Sequence, residues 1–177
     1  RVGVNGFLWD DAKWGLDNMD PNRKIVKPIE WRKNGDHILI LMQNPGDASL
    51  RGADIFEWVE NTVIELRKHT DRPIRIRQHP LPNKQQKLEQ LKQKLRDVTF
   101  VENKLPDNLR PLSEDFKNCW CVVTYSSGSS VDAVMAGIPN IACDTGNMAW
   151  PISSTKLDMI EKPYTGDTKL WEQQISH

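Results

Sequence analysis

The chain has 177 residues, enough for one domain with a buried core of its own. It carries 24 lysines and arginines against 24 aspartates and glutamates, so its formal net charge is zero. We therefore do not expect it to bind nucleic acid or an anionic membrane through a general positive charge.

The three cysteines and the apolar runs narrow the class of protein further. Cys119, Cys121 and Cys143 lie in or beside apolar runs and lack the paired spacing of a zinc site, which is typical of core thiols in a reducing compartment. No apolar run approaches the ~20 residues of a membrane span, and no signal-peptide pattern opens the sequence. We expect a soluble, cytoplasmic protein.

Short apolar runs alternate with helical patterns along the chain. The run HILILM at 37–42, bounded by turn residues, predicts a buried strand, and apolar residues at three- and four-residue spacing over 53–66 predict an amphipathic helix. The other predicted strands are 74–78, 98–101, 121–125 and 138–143, and the other predicted helices are 85–95, 111–117 and 131–136.

This alternation predicts an α/β fold, a Rossmann-like, doubly wound parallel sheet of about five to six strands with helices on both faces. We expect residues 34–151 to form this domain and residues 152–177 a helical tail. Residues 1–33 contain three of the seven tryptophans and no sustained period. They indicate either a connection from an absent N-terminal domain or a strand of their own.

Unusual loops follow the carboxyl ends of the predicted strands, which is where open α/β sheets bind their ligands. These loops are QNPGD at 43–47, QHPLPN at 78–83, YSSGSS at 125–130 and DTGNMAWP at 144–151. We therefore expect a ligand site at this edge of the sheet.

The serine-rich loop has two interpretations. A turn before a helix offers backbone N–H groups, a favourable helix dipole and hydroxyl donors, all of which suit a phosphate. Alternatively, Ser129 and Asp132 form a capping box that only satisfies backbone N–H groups. Asp132 has a third potential role, accepting hydrogen bonds from a ribose.

His79 is the other candidate, because Pro80 fixes it in an extended conformation at the end of a strand. There it is able to donate to a phosphate oxygen, although a histidine in a loop is often only a polar surface residue.

Taken in order, QNPGD, His79-Pro80 and Ser126-Ser127 resemble the C-terminal half of capsule-type glycosyltransferases with the GT-B fold. This group includes bacterial Kdo transferases of capsule export, polysialyltransferases and, more distantly, CDP-glycerol phosphotransferases. Its histidine-proline and serine motifs bind the phosphate and nucleotide of a cytidine-activated donor. The resemblance covers roughly residues 36–151.

The resemblance implies a domain that binds a nucleotide sugar, whose sugar is transferred to a saccharide acceptor. By this resemblance His79, Ser126 and Ser127 hold the donor phosphate, and Gln43 and Asp47 line the cleft. The predicted donor site also includes Pro80, Gly128, Ser129, Ser130 and Asp132.

The chain also departs from this family. A GT-B enzyme has two Rossmann-like domains, and the N-terminal one binds the acceptor and often supplies the catalytic base. We expect only the donor half in these 177 residues. Asp47 is the one cleft carboxylate that we nominate as a base. No Asp-x-Asp pair follows a strand, so we expect no metal and no cofactor beyond the nucleotide sugar, which is a substrate.

Three alternatives remain open. Nucleotide-sugar 2-epimerases share the fold but usually show SGG followed by a glutamate pair, which SGSSVDA lacks. A non-catalytic nucleotide-binding module is the second. The third is transfer to a modified DNA base, which requires a basic face; Arg72, Arg75 and Arg77 alternate as expected for one solvated face instead.

Overall fold

A computed structural model of the chain describes residues 8–10, 22, 24–25, 27–80, 84–102 and 109–176. Five parallel strands form one sheet in the order β3-β2-β1-β4-β5. The strands are β1 His37–Leu41, β2 Ile74–Arg77, β3 Thr99–Val101, β4 Cys119–Thr124 and β5 Asn140–Ala142. The helices are α1 Ile55–Leu66, α2 Gln85–Lys94, α3 Leu112–Asp115, α4 Ser129–Met135 and α5 Lys169–Ile175. Short 3-10 helices occur at Ala48–Leu50, Trp150–Ile152 and Leu157–Met159.

The central strand β1 is buried on both faces, as its unbroken apolar run predicts. Ile38 and Ile40 belong to the core cluster that contains the apolar stripes of α1 and α2. Leu39 and Leu41 belong to a second cluster with Phe116 and with Ala133 of α4. Helices therefore cover both faces of an all-parallel sheet, and the predicted α/β, Rossmann-like fold is confirmed.

The sheet order creates a point at which the chain changes direction. From β1 the chain moves outward to β2 and β3, and it then returns to β4 on the other side of β1. The loops that leave β1 and β4 consequently turn toward opposite faces of the sheet, which opens a crevice between them.

Both flanks of the predicted domain pack onto it. Trp171 of α5 is only 1% exposed and clusters with Val134, Ala149 and Ile152. Its indole N–H donates to the carbonyl of Met148 at 2.8 Å. The helical tail therefore shares a core with the sheet's covering helices.

The segment before β1 runs along the turn between α4 and β5. The backbone N–H of Ile29 donates to the carbonyl of Met135 at 3.3 Å, and that of Arg32 to the carbonyl of Gly137 at 2.6 Å. Residues 27–33 contain no strand, and most of residues 1–26 lie outside the described residues, so the alternatives for this region remain predictions.

Several predicted boundaries were wrong by one or two residues. β4 begins at Cys119, two residues before the predicted start, and β5 is confined to Asn140–Ala142. Helix α4 begins at Ser129 and not at Val131. At α4 the polar residues Ser129 and Ser130 explain the error, because they interrupt the apolar pattern without ending the hydrogen-bonded structure.

Gly137 has a conformation and surroundings that exclude a side chain. Its φ is +69°, and a Cβ built there would lie 2.3 Å from the carbonyl oxygen of Glu30. We predict that Gly137→Ala lowers the free energy of unfolding by at least about 1 to 2 kcal/mol, the cost of a left-handed conformation for an L-residue.

Gly128→Ala is the matched control, because Gly128 has φ of −60° and open space where its Cβ would lie. Urea unfolding of both variants compares the two sites. Equal stabilities would contradict the tight packing of residues 29–30 over this turn.

Candidate functional site

Three of the predicted loops meet in one cleft at the crevice between β1 and β4. The cavity has a volume of about 440 Å³. Its lining includes Gln43 and Asp47 after β1, His79 and Pro80 after β2, and Ser126, Ser127, Gly128 and Ser129 after β4. Eight of the ten predicted site residues are thus brought together; Ser130 and Asp132 are not in the lining.

Gln43 joins the loop after β1 to the loop after β4. Its side-chain carbonyl accepts the backbone N–H of Ser126 at 2.8 Å, and its amide nitrogen donates to the hydroxyl oxygens of Ser49 at 2.8 Å and of Ser126 at 3.1 Å. The hydroxyl of Ser126 donates to the carbonyl of Ser49 at 2.7 Å. Gln43 is 6% exposed and Ser126 3%, so this network is a buried connection between the two loops.

Asp47 is placed at the start of the 3-10 helix Ala48–Leu50, which it caps. Its Oδ1 accepts the backbone N–H of Ser49 at 2.8 Å and the Ser49 hydroxyl at 2.6 Å. These hydrogen bonds, helped by the field of His79, hold the pKa of Asp47 below its ordinary value. A carboxylate with a lowered pKa is a weaker base, and the nominated catalytic role of Asp47 remains a prediction.

His79 lies at the same end of the sheet, two residues after β2 ends. Partial burial lowers the pKa of His79 from 6.5, and the nearby Asp47 carboxylate only partly opposes this effect. The neutral ring therefore predominates at pH 7, with one nitrogen carrying a proton and the other a lone pair. Pro80 lines the cleft beside it, whereas residues 81–83 of the same predicted loop lie outside the described residues.

The serines after β4 have different roles. Gly128 is the N-cap of α4 and Ser129 is the first helical residue, so the predicted capping box of Ser129 and Asp132 was wrong. Ser127 instead accepts the hydrogen bonds at the start of the helix. Its hydroxyl accepts the backbone N–H of Ser129 at 3.2 Å, and its carbonyl accepts the Ser130 hydroxyl at 2.8 Å. Ser130 is fully buried.

Asp132 lies one turn into α4, away from the cleft lining. The residue is exposed, and partial desolvation of its carboxyl group raises its pKa. Its predicted contact with a ribose remains a prediction.

The loop at 144–151 lies at the same edge of the sheet but does not line this cleft. It contacts residues 8–10 instead: the backbone N–H of Trp9 donates to the carbonyl of Gly146 at 3.0 Å, and the hydroxyl of Thr145 donates to Asp10. Asp10 also pairs with Arg51, which is the main reason that its pKa is lowered to about 2.

Of the cleft residues that the sequence interpretation missed, two are chemically notable. Arg77 was assigned to a solvated face with Arg72 and Arg75, yet its side chain is only 11% exposed and paired with Asp115. That interpretation was wrong for Arg77 because α3 covers the end of β2. The strand alternation placed Arg75 and Arg77 on one face, but it did not show which part of that face a short helix would cover.

Asn44 is the second of these missed residues, although it belongs to the QNPGD motif. Its side-chain oxygen is buried without a hydrogen-bond partner among the described residues, a property shared there only with Nδ1 of His37. Unpaired buried acceptors are rare and costly, which makes this cleft residue notable.

The chain matches no known protein-family model, and a search of curated proteins found no similar sequence. Within the described part of the chain, no helix is sufficiently long and apolar to cross a bilayer. No group of three or more acidic, histidine or cysteine side chains there is arranged to hold a metal ion.

Ser126 and Ser129, two serines of the loop after β4, supply a test of the buried network. Ser126→Ala should lower the free energy of unfolding by about 1 to 3 kcal/mol, because it leaves the Ser49 carbonyl without its donor. Ser129→Ala should change it by less than about 0.5 kcal/mol, since the Ser129 hydroxyl is not a helix cap. Equal effects in urea unfolding would argue against the distinction.

Acid sensitivity tests the burial of His79. Burial lowers the pKa of both His37 and His79 from 6.5 in the folded protein. The unfolded chain then binds more protons in mild acid, so the free energy of unfolding should fall as the pH drops below about 6.5 and be unaffected by these groups above it.

His79→Gln should therefore lose less stability than the parent between about pH 7.5 and pH 5.5. His37 remains in both proteins and contributes equally to each, which isolates the His79 contribution. Denaturant unfolding at the two pH values measures the difference. An identical loss in both proteins would show that His79 is not desolvated.

Proposed function

We propose that this domain binds the nucleotide-sugar donor of a GT-B-type glycosyltransferase, with the donor phosphate in the cleft between β1 and β4. The observation that supports the proposal is the meeting of three separate motifs in that cleft. QNPGD, His79-Pro80 and the serine loop are far apart in sequence, and their side chains line one cavity. That cavity lies where the strand order reverses, the usual ligand position in open α/β sheets.

The cleft has a suitable size and suitable groups for a nucleotide. Its volume of about 440 Å³ lies within the range of ~300 to 1,000 Å³ that is common for small-molecule sites. Ser127 and His79 supply hydroxyl and imidazole donors from opposite walls. The network centred on Gln43 holds the walls in position before a ligand arrives, which reduces the ordering cost of binding.

In the proposed reaction the bond between the sugar and its phosphate breaks, and negative charge develops on the departing phosphate. Donors fixed around that phosphate stabilise the charge, the role that we assign to His79 and Ser127. The lowered pKa of Asp47 makes it a poor acceptor of the proton from the saccharide acceptor. We therefore assign Asp47 to positioning the loop after β1 and leave deprotonation to a group outside this cleft.

The class of nucleotide follows from the resemblance and is directly testable. We expect a cytidine nucleotide to protect the folded chain from thermal unfolding more than UDP does, because a ligand that binds only the folded state raises its stability. The measurement is the melting temperature with CMP, CDP or UDP at increasing concentration. Lack of protection by all three would contradict a nucleotide site.

A substitution at His79 tests the phosphate contact. His79→Ala should weaken nucleotide binding at least tenfold, since a charge-assisted hydrogen bond to phosphate contributes about 1.5 to 3 kcal/mol. His69→Ala is the matched control, because His69 lies beyond α1 in contact with Glu65 and outside the cleft. Isothermal titration of both folded variants compares them. Unchanged affinity of His79→Ala would assign the histidine to the surface.

A further inference from the structure

Arg77 is a partly buried cation in the wall of the proposed donor cleft. It ends β2, and its side chain reaches α3, where it forms an ion pair with Asp115. Its Nη2 donates to the backbone carbonyl of Arg110 at 2.5 Å, and its Nη1 approaches that of Pro111 at 3.4 Å. The guanidinium group is thereby fixed in one orientation beside the cavity.

The charges around Arg77 do not cancel. Asp115 is 1% exposed and interacts with two cations, Arg77 and Arg110, whose Nε lies 2.9 Å from the second carboxylate oxygen. One carboxylate and two guanidinium groups leave a net charge of +1 in this cluster. Arg77 lines the cleft and Arg110 does not, so Arg77 is the guanidinium group of this cluster that reaches the cavity, where the lining also contains the carboxylate of Asp47.

Arg77 also retains hydrogen-bonding capacity. A guanidinium group has five N–H donors. Nη1 uses two of them for Asp115 and Pro111, and Nη2 uses one for Arg110. The Nε–H and the remaining Nη2–H have no acceptor among the residues that the structure describes, and neither nitrogen is among the buried atoms that lack a partner.

We propose that Arg77 binds the anionic group of the ligand in this cleft and that Asp115 is its positioning residue. The inference rests on the proposed function for the identity of the ligand, but its chemical content is a phosphate or diphosphate. A guanidinium group matches the geometry of phosphate oxygens and keeps its charge at every physiological pH. Together with His79, two residues further along the chain, it forms the cationic and donor wall of the site.

Arg77 and Arg110 provide a matched pair of variants, because both contact the carboxylate of Asp115 and only Arg77 lines the cleft. Arg77→Gln should weaken the binding of inorganic pyrophosphate and of CDP at least about tenfold, through loss of charge-assisted hydrogen bonds. Arg110→Gln should change either affinity by less than about threefold. Calorimetric titration of folded proteins at low and high salt gives the affinities.

The two probes separate this inference from the proposed function. Binding of pyrophosphate that depends on Arg77, without binding of any nucleotide, supports the anion site and contradicts the nucleotide-sugar function. Nucleotide binding that Arg77→Gln leaves unchanged supports the function and overturns the inference. If the parent binds neither probe, both are overturned.

A conservative variant keeps the inference testable if Arg77→Gln does not fold. Should Arg77→Gln fail to fold, Arg77→Lys keeps the positive charge beside Asp115 but cannot reproduce the planar fork. It should bind pyrophosphate at least about threefold more weakly than the parent while keeping part of the salt dependence. Parent-like affinity of Arg77→Lys, with parent-like salt dependence, would overturn the assignment of the guanidinium contacts.

Discussion

The candidate site depends on the hydrogen bonds made by the side-chain amide of Gln43. At the point where β1 and β4 diverge, the two loops leave the sheet in opposite directions, and the backbone groups after each strand lose their ladder partners. Gln43 supplies both an acceptor for the backbone N–H of Ser126 and a donor for the hydroxyl of Ser49. A buried polar network that is fully satisfied rigidifies its surroundings, so the divergent loops become two fixed walls of one cleft.

Alternation of apolar runs and helical stripes was sufficient to predict the fold. The five strands and four of the helices follow from it, because burial on two faces requires an uninterrupted apolar strand and burial on one face requires a helical stripe. The irregular tail was harder to interpret. Trp171 is a core residue because its partners Val134 and Ala149 reach it from distant parts of the chain, and local periodicity contains no information about that contact.

The positions of the site residues were predictable from motif order, but their individual roles were not. All four serines after β4 are chemically alike, and only their tertiary partners distinguish them. Ser126 faces Gln43, which is 83 residues away, whereas Ser127 bonds within its own turn. Arg77 was misassigned for the same reason, because its partner Asp115 lies 38 residues further along on a helix of four residues.

The loop after β1 is held differently on its two sides. Toward the cleft it is secured by the buried bonds of Ser49, while at its far end Arg51 meets Asp10 through an ion pair that is about a third exposed on both side chains. Exposed pairs contribute only about 0 to 1 kcal/mol and are screened by salt, whereas buried networks are screened far less. The loop therefore has a stiff inner attachment and a compliant outer one, and an increase in ionic strength loosens the outer attachment first.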